Sequence, residues 1–262
     1  MITHAYVEFL WVASGTTLYK LDAATLELAE GTNSIDLSDE TLYRSDPIKD
    51  LAFGGGDLYV HVYYAQYDER VLRVNPSSGE VTRRVNADGF AASTALGLGL
   101  AYEIQPGDDA IWYFVGSSDS TVRRIYKSEP PLTRLNRSLG YGQFDLGGHR
   151  KHTDVRGMDY YENALWILNT GNSTVYEVTD NLMTSNQSTP ATVADSTVLQ
   201  DSDGTTLTSL RGMAIGGGYL WSIRSNGRLY KHNISDLSFD SESDISGTGA
   251  TRPVAMCYQA GE

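Results

Sequence analysis

One cysteine, Cys257, in 262 residues leaves the chain without an internal disulfide. That excludes a disulfide-stapled scaffold and leaves the compartment open. No run approaches the roughly 18 uninterrupted apolar residues that a membrane helix needs. The opening MITHAYVEFLWVAS has neither a basic n-region nor a small-residue cleavage site, so a soluble chain with no signal peptide or transmembrane segment is expected. Lysine is scarce, five against fifteen arginines, and the net charge is −13. So acidic a chain is a poor partner for nucleic acid or an anionic membrane, both of which are held by basic surfaces. No segment keeps a helical period over three turns, and no serine stands in a G-x-S-x-G context.

What the chain does have is a repeat. RGMAIGGGYLW (211–221) echoes RGMDYYENALW (156–166) fifty-five residues earlier. All four tryptophans, Trp11, Trp112, Trp166 and Trp221, end such a unit, and a fifth copy ends in Tyr59. After each aromatic comes a polar turn, and then TLYKLD, RVLRVN, TVRRIYK, TVYEVTD or RLYKHN. In several copies a second turn and another extended run follow, as in NPSSGEVTRRV. Short alternating runs separated by Gly, Asn, Asp and Ser clusters read as hairpin-linked antiparallel strands. Four strands per unit, recurring about every 40 to 60 residues, is the arithmetic of a β-propeller.

The last unit starts near Arg252 and has a first strand, RPVAMCYQ, with nothing after it. FLWVASGTTLYKLDAATLEL, near the N-terminus, carries the missing strands two to four. Pairing the two ends closes the ring and removes an exposed sheet edge. The expectation is therefore an all-β, single propeller domain over 1–262 with five four-stranded blades. Their bounds are 252–262 plus 1–30, 48–86, 97–140, 155–200 and 210–245. A less favoured alternative lets MITHAYVE supply the first strand, which makes RPVAMCYQ surplus or the start of a sixth blade.

The unit (a Gly-rich turn, Leu-Trp, a turn, then Leu-Tyr-Lys-Leu-Asp and Gly-Glu-Val) resembles the propeller repeats of the YVTN, NHL and PQQ-like families. The resemblance covers essentially the whole chain and concerns the fold. Such propellers include lyases, lactonases, lectins and interaction scaffolds, so it implies no single activity. The Trp-Asp and Gly-His signatures of WD40 repeats are absent.

Within the first strands, Leu51, Leu100, Met158, Met213 and Val254 are expected on one face. Ala52, Ala101, Ala214 and Ala255 are expected on the other, where blades crowd near the axis. Asp159 breaks the alanine series and needs a partner, either structural or a ligand. Two residues before the apolar position, Lys49, Arg156, Arg211 and Arg252 stand at like positions, with Leu98 in the remaining copy. These cations should ring one mouth of the central channel. Either neighbours such as Asp46, Asp50 or Asp154 neutralise them, or they hold a carboxylate, phosphate or sulfate.

Other candidates are weaker. His149, His152 and Asp154 form an HxxH-D cluster on a loop, a minimal metal-ligand set. Asp201 and Asp203 hint at a structural cation such as calcium, although turn chemistry explains them equally. The GGG runs at 54–56 and 216–218 precede no helix, so they read as turns needing positive φ rather than phosphate loops. His61 and His232 read as packing residues, and Cys257 as a buried, inert thiol. Asn136, Asn172, Asn186 and Asn233 head glycosylation sequons, which matter only in a glycosylating secretory host.

The function expected is a non-enzymatic binding or interaction propeller, its partner a small anionic or carbohydrate ligand or a protein. The ligand-binding candidates are Lys49, Arg156, Arg211, Arg252 and Asp159, with no cofactor. The alternative is a propeller enzyme, either a metal-dependent lactonase or lyase, or a glycosidase using paired carboxylates such as Asp159, Glu103 and Asp50.

Overall fold

A computed structural model describes residues 7–40, 47–65, 68–86, 99–103, 110–115, 121–126, 141–143, 155–180 and 192–261. Strands β1 (Phe9–Ser14), β2 (Thr17–Asp22) and β3 (Ser34–Asp36) come first. Then follow β4 (Ile48–Gly54), β5 (Asp57–Ala65), β6 (Asp68–Val74) and β7 (Val81–Asn86). The third group is β8 (Leu100–Glu103), β9 (Ala110–Val115), β10 (Thr121–Tyr126) and β11 (Tyr141–Gln143). The fourth is β12 (Val155–Tyr161), β13 (Ala164–Asn169), β14 (Thr174–Asp180) and β15 (Thr192–Val198). The fifth is β16 (Leu210–Gly216), β17 (Tyr219–Arg224), β18 (Arg228–Asn233) and β19 (Phe239–Asp244), and β20 (Pro253–Gln259) closes the chain.

The sheets run β4-β5-β6-β7, β8-β9-β10-β11, β12-β13-β14-β15, β16-β17-β18-β19 and β20-β1-β2-β3. The innermost strands touch in a closed cycle: β20 with β4, β4 with β8, β8 with β12, β12 with β16, and β16 with β20. This is a single all-β propeller. The expected blade count is corrected in one respect: four blades, not five or six, are each written by one continuous stretch of chain. The remaining four-stranded sheet is a composite, because β1 has no inner neighbour of its own and takes β20. That pairing fills the inner position of the composite sheet with β20, while residues 1–6 of MITHAYVE lie outside the described residues.

The repeated aromatic sits on the second strand of every sheet, as Trp11, Tyr59, Trp112, Trp166 and Trp221. Its neighbours explain the packing. Alternating side chains bury both faces of each sheet, so the cores lie between blades rather than within one. One core joins Trp11, Leu18 and Cys257 of the composite sheet to Leu51, Leu58, Val60 and Leu72 of the next blade. Burying a Leu or Val side chain stabilises by about 1.5–3 kcal/mol, so each such seam locks its two blades together.

Two sequence expectations change here. β20 was aligned through Arg252, but its ladder with β1 pairs Trp11 with Cys257 and Val12 with Met256. In the neighbouring blade, Trp221 pairs with Ala214 and Ser222 with Met213. So Met256 and Cys257, not Val254 and Ala255, occupy the apolar and the small-residue positions. The GGG runs also divide in two. Gly55, Gly56, Gly217 and Gly218 have positive φ and make the hairpin turns. Gly54 and Gly216 do not; each makes room for a ring from the next blade, Tyr102 and Tyr258 respectively.

Candidate functional site

Three of the four cations owe their placement to irregular pairing. In β4 the ladder skips Lys49 between Ile48 and Asp50. In β16 it skips Arg211 between Leu210 and Gly212, and in β12 it skips Arg156 and Gly157 between Val155 and Met158. A β-bulge leaves its extra residue unpaired and re-aims the side chain. In β20 the skipped residue is Val254, and Arg252 lies just before the strand, its backbone N–H donating to Ser14 Oγ at 3.0 Å. The fifth counterpart, Leu98, lies outside the described residues.

These side chains come together. Lys49, Arg156, Arg211 and Arg252 line one cavity of about 280 Å³ with Ile48, Ser225, Pro253 and Val254. It stands at the end of the channel where the inner strands begin. Lys49 Nζ sits 4.5 Å from the Tyr63 ring centre, a cation–π contact. Among the described residues, the Arg211 and Arg252 side chains form no ion pair. Asp46 and Asp154, two of the expected neutralising partners, lie outside the described residues.

The third, Asp50, does something else. Asp50 is buried, and Leu100 N–H donates to its Oδ2 at 2.6 Å. The backbone amides of Leu51 and Met158 also face it, so amides from β4, β8 and β12 converge on this carboxyl group. Burial raises its pKa well above the usual carboxylate range, opposed by these amides and reinforced by the charge of Asp159. In the other described inner strands the matching residue is Gly99, Gly157, Gly212 or Ala255. That contrast, one Asp among glycines and alanine, is the sequence signal that marks Asp50.

Asp159 lies one layer deeper, three residues along β12 from Arg156, and is not among the cavity-lining residues. Its Oδ1 accepts the Tyr160 N–H at 2.8 Å and its Oδ2 the Ile215 N–H of the next blade at 2.7 Å. Burial pushes its pKa up to about 7 against the pull of both amides. Cys257 occupies the corresponding position of β20; burial raises its thiol pKa, and the charges of Asp159 and Asp50 add to this. Two acids and a thiol therefore cluster near the axis, but both carboxyl groups are engaged by main-chain amides.

The remaining candidates are quickly placed. His149, His152 and Asp154 lie outside the described residues. Asp201 Oδ1 accepts the N–H groups of Asp203 and Thr205 at 3.0 and 2.9 Å, which is turn chemistry. His232 is buried with Nε2 2.9 Å from the Gln200 carbonyl oxygen, to which it donates, and His61 is buried in β5. Among the described residues, no group of three or more His, Cys, Asp and Glu side chains is placed to hold a metal ion. Nor is any described helix long and apolar enough to cross a membrane.

Comparison with known proteins agrees at the level of fold. No family model and no curated protein matches the sequence. A chain of the nidogen/laminin complex superposes with a TM-score of 0.55 at 11% identity, covering 96% of this chain and 98% of that one. Glutaminyl cyclase from Myxococcus xanthus superposes with a TM-score of 0.51 at 8% identity, covering 80% and 69%. At such identities the likeness concerns the β-propeller fold alone.

Proposed function

We propose that this protein is a non-enzymatic ligand-binding propeller whose ligand is a small anion held at the mouth of the central channel. The observation that carries the reading is the cavity of about 280 Å³ lined by Lys49, Arg156, Arg211 and Arg252. Like charges around one opening repel at short range, and among the described residues the Arg211 and Arg252 side chains form no ion pair. An anion between them relieves that repulsion, and planar guanidinium groups suit the paired oxygens of carboxylate, phosphate or sulfate. Asp50, next to Lys49 in β4, is buried, and burial raises its pKa, which lessens the charge it sets against the cations. The volume suits a compact anion or a uronic acid better than a long chain.

The glycosidase reading asks for two carboxyl groups free to face a substrate across the channel. Asp50 and Asp159 instead accept backbone N–H groups of neighbouring blades, which favours binding over hydrolysis.

The test is thermal unfolding against phosphate, sulfate, citrate, a uronic acid and neutral sugars, on the wild type and on Arg211→Ala/Arg252→Ala. A ligand specific to the folded state adds about 2.7 kcal/mol at a hundredfold excess over its Kd. A midpoint shift with one anion that disappears in the variant supports the reading. A shift that survives in the variant, or none with any anion, overturns it.

A further inference from the structure

The third strands carry a second pattern, on the opposite face of the disc. Directly opposite the repeated aromatic stands a cation: Lys20 across from Trp11, Arg73 from Tyr59, Arg124 from Trp112, and Lys231 from Trp221. The β12–β15 blade alone reverses the charge and pairs Trp166 with Glu177.

In two sister blades the cation is seated on an aromatic shelf. Lys231 Nζ lies 3.6 Å from the Tyr219 ring centre and 5.0 Å from that of Trp221. Lys20 Nζ lies 3.8 Å from the Phe9 ring and 5.6 Å from the Trp11 ring. In the β12–β15 blade the residue matching Tyr219 and Phe9 is Ala164, so half of that shelf is missing as well. The volumes follow. The cavity beside Trp221 and Lys231 measures about 110 Å³, whereas its counterpart beside Trp166 and Glu177 measures about 410 Å³.

The larger cavity is lined by Glu162, Glu177, Asp195 and Asp236 and contains no cation among its described lining residues. Burial raises the pKa of Glu177, and the charges of Asp195 and Glu162 raise it further, so these acids are held together at a cost. An independent observation comes from the indole. Trp166 lines this cavity and is 8% exposed, yet its Nε1 has no hydrogen-bond partner among the described residues. Trp11 Nε1 donates to Gln259 Oε1 at 2.8 Å, and Trp221 Nε1 to the Gly216 carbonyl at 3.3 Å.

We infer that the cavity between Trp166, Glu177, Asp195 and the Ile234–Leu237 turn is a binding site for a primary alkylammonium ligand carrying an oxygen acceptor. The ligand's ammonium takes the place that Lys20 and Lys231 fill in the sister blades, over the indole and among the carboxylates. Its oxygen accepts from Trp166 Nε1. This site is separate from the cationic mouth and opposite to it in charge.

The test is a calorimetric or fluorescence titration of the whole chain with 4-aminobutan-1-ol, and with butane-1,4-diol as the uncharged comparison. Saturable binding of the amine with little or none of the diol is expected. Glu177→Lys restores the sister-blade arrangement and should fold at least as stably while weakening amine binding by about tenfold or more. Glu177→Gln provides a second reading should that variant fold poorly, and should weaken binding by several-fold. A blocked lysine (Nα-acetyl-lysine amide) titrated alongside separates the sources. Tighter binding of the amino alcohol supports a free small molecule, and tighter binding of the blocked lysine supports a protein side chain; both retain the alkylammonium site. Equal binding of the diol, or unchanged amine binding in both Glu177 variants, overturns the proposal.

Discussion

Asp50 and Leu100 lie on the innermost strands of adjacent blades and are joined by a hydrogen bond of 2.6 Å from the Leu100 N–H to Asp50 Oδ2. Asp159 makes the same kind of link to Ile215 across another seam, at 2.7 Å. Each is a side-chain staple between blades that no β-ladder connects. Removing the Asp50 carboxyl leaves buried amides without an acceptor, at about 1–3 kcal/mol each. Asp50→Ala should therefore lower the unfolding free energy by about 2–5 kcal/mol in a urea titration. Asp50→Asn, which keeps one acceptor oxygen, should cost less. Equal stability of Asp50→Ala and wild type would show that these amides find other partners.

The acid at Asp159 predicts how stability varies with pH. Its pKa is about 7 in the folded state against 3.8 ordinarily, so the folded state binds more protons than the unfolded state between those values. Stability from this group is fully present below about pH 4 and is lost as pH rises through 7. Asp50 acts in the same direction, as its pKa is also raised by burial. Asp159 is only half-buried as a residue, which keeps its share to about 1–3 kcal/mol rather than the full value of the shift. Asp159→Asn should flatten the fall in unfolding free energy between pH 4 and 8. An unchanged pH profile would place the carboxyl in a wetter setting.

The repeat was legible because alternation and turn chemistry are local. The Leu-Trp pairs marked the second strands, and the polar turns marked their ends. Register at the closing strand was not legible: the alignment through Arg252 placed Val254 and Ala255 where the ladder with β1 puts Met256 and Cys257. Cross-strand pairing, not the resemblance of one arginine to another, sets that register. Three of the four cations in the cavity stand at bulges that no pattern announces, and Arg252 joins them from just before β20. The reach of Asp50 into neighbouring blades is tertiary. The reversal at Glu177, by contrast, stood in plain view among TLYKLD, RVLRVN, TVRRIYK and RLYKHN. It lies on a third strand, away from the axis where the first-strand pattern draws the eye.

Cys257 should behave as a packing residue. Burial raises its thiol pKa, and two nearby acids reinforce the effect, so little thiolate forms at neutral pH. A disulfide reagent at pH 8 should leave it unmodified in the native protein and label it stoichiometrically in denaturant. Rapid native labelling would mean that the composite sheet opens at β20 on the timescale of the reaction.

The first glycine of each GGG run should be the one that tolerates least. Gly216 has no positive φ, so its backbone does not demand glycine. Yet a Cβ there would overlap the ring of Tyr258, which lies on the inner strand of the composite sheet. The same relationship joins Gly54 to Tyr102, whose ring also stacks on Tyr59 with centroids 5.2 Å apart. Gly218 has positive φ and open space around its Cβ position, so alanine there meets backbone strain alone, about 1–2 kcal/mol. Gly216→Ala must displace an aromatic ring from a seam between blades, and forced overpacking costs about 1–3 kcal/mol or more. Thermal unfolding should therefore rank Gly216→Ala at least as destabilising as Gly218→Ala. The double variant Gly216→Ala/Tyr258→Leu should recover part of the loss, because the shorter side chain removes the overlap. A Gly216→Ala protein as stable as wild type would mean that the Tyr258 ring can swing aside without opening the seam.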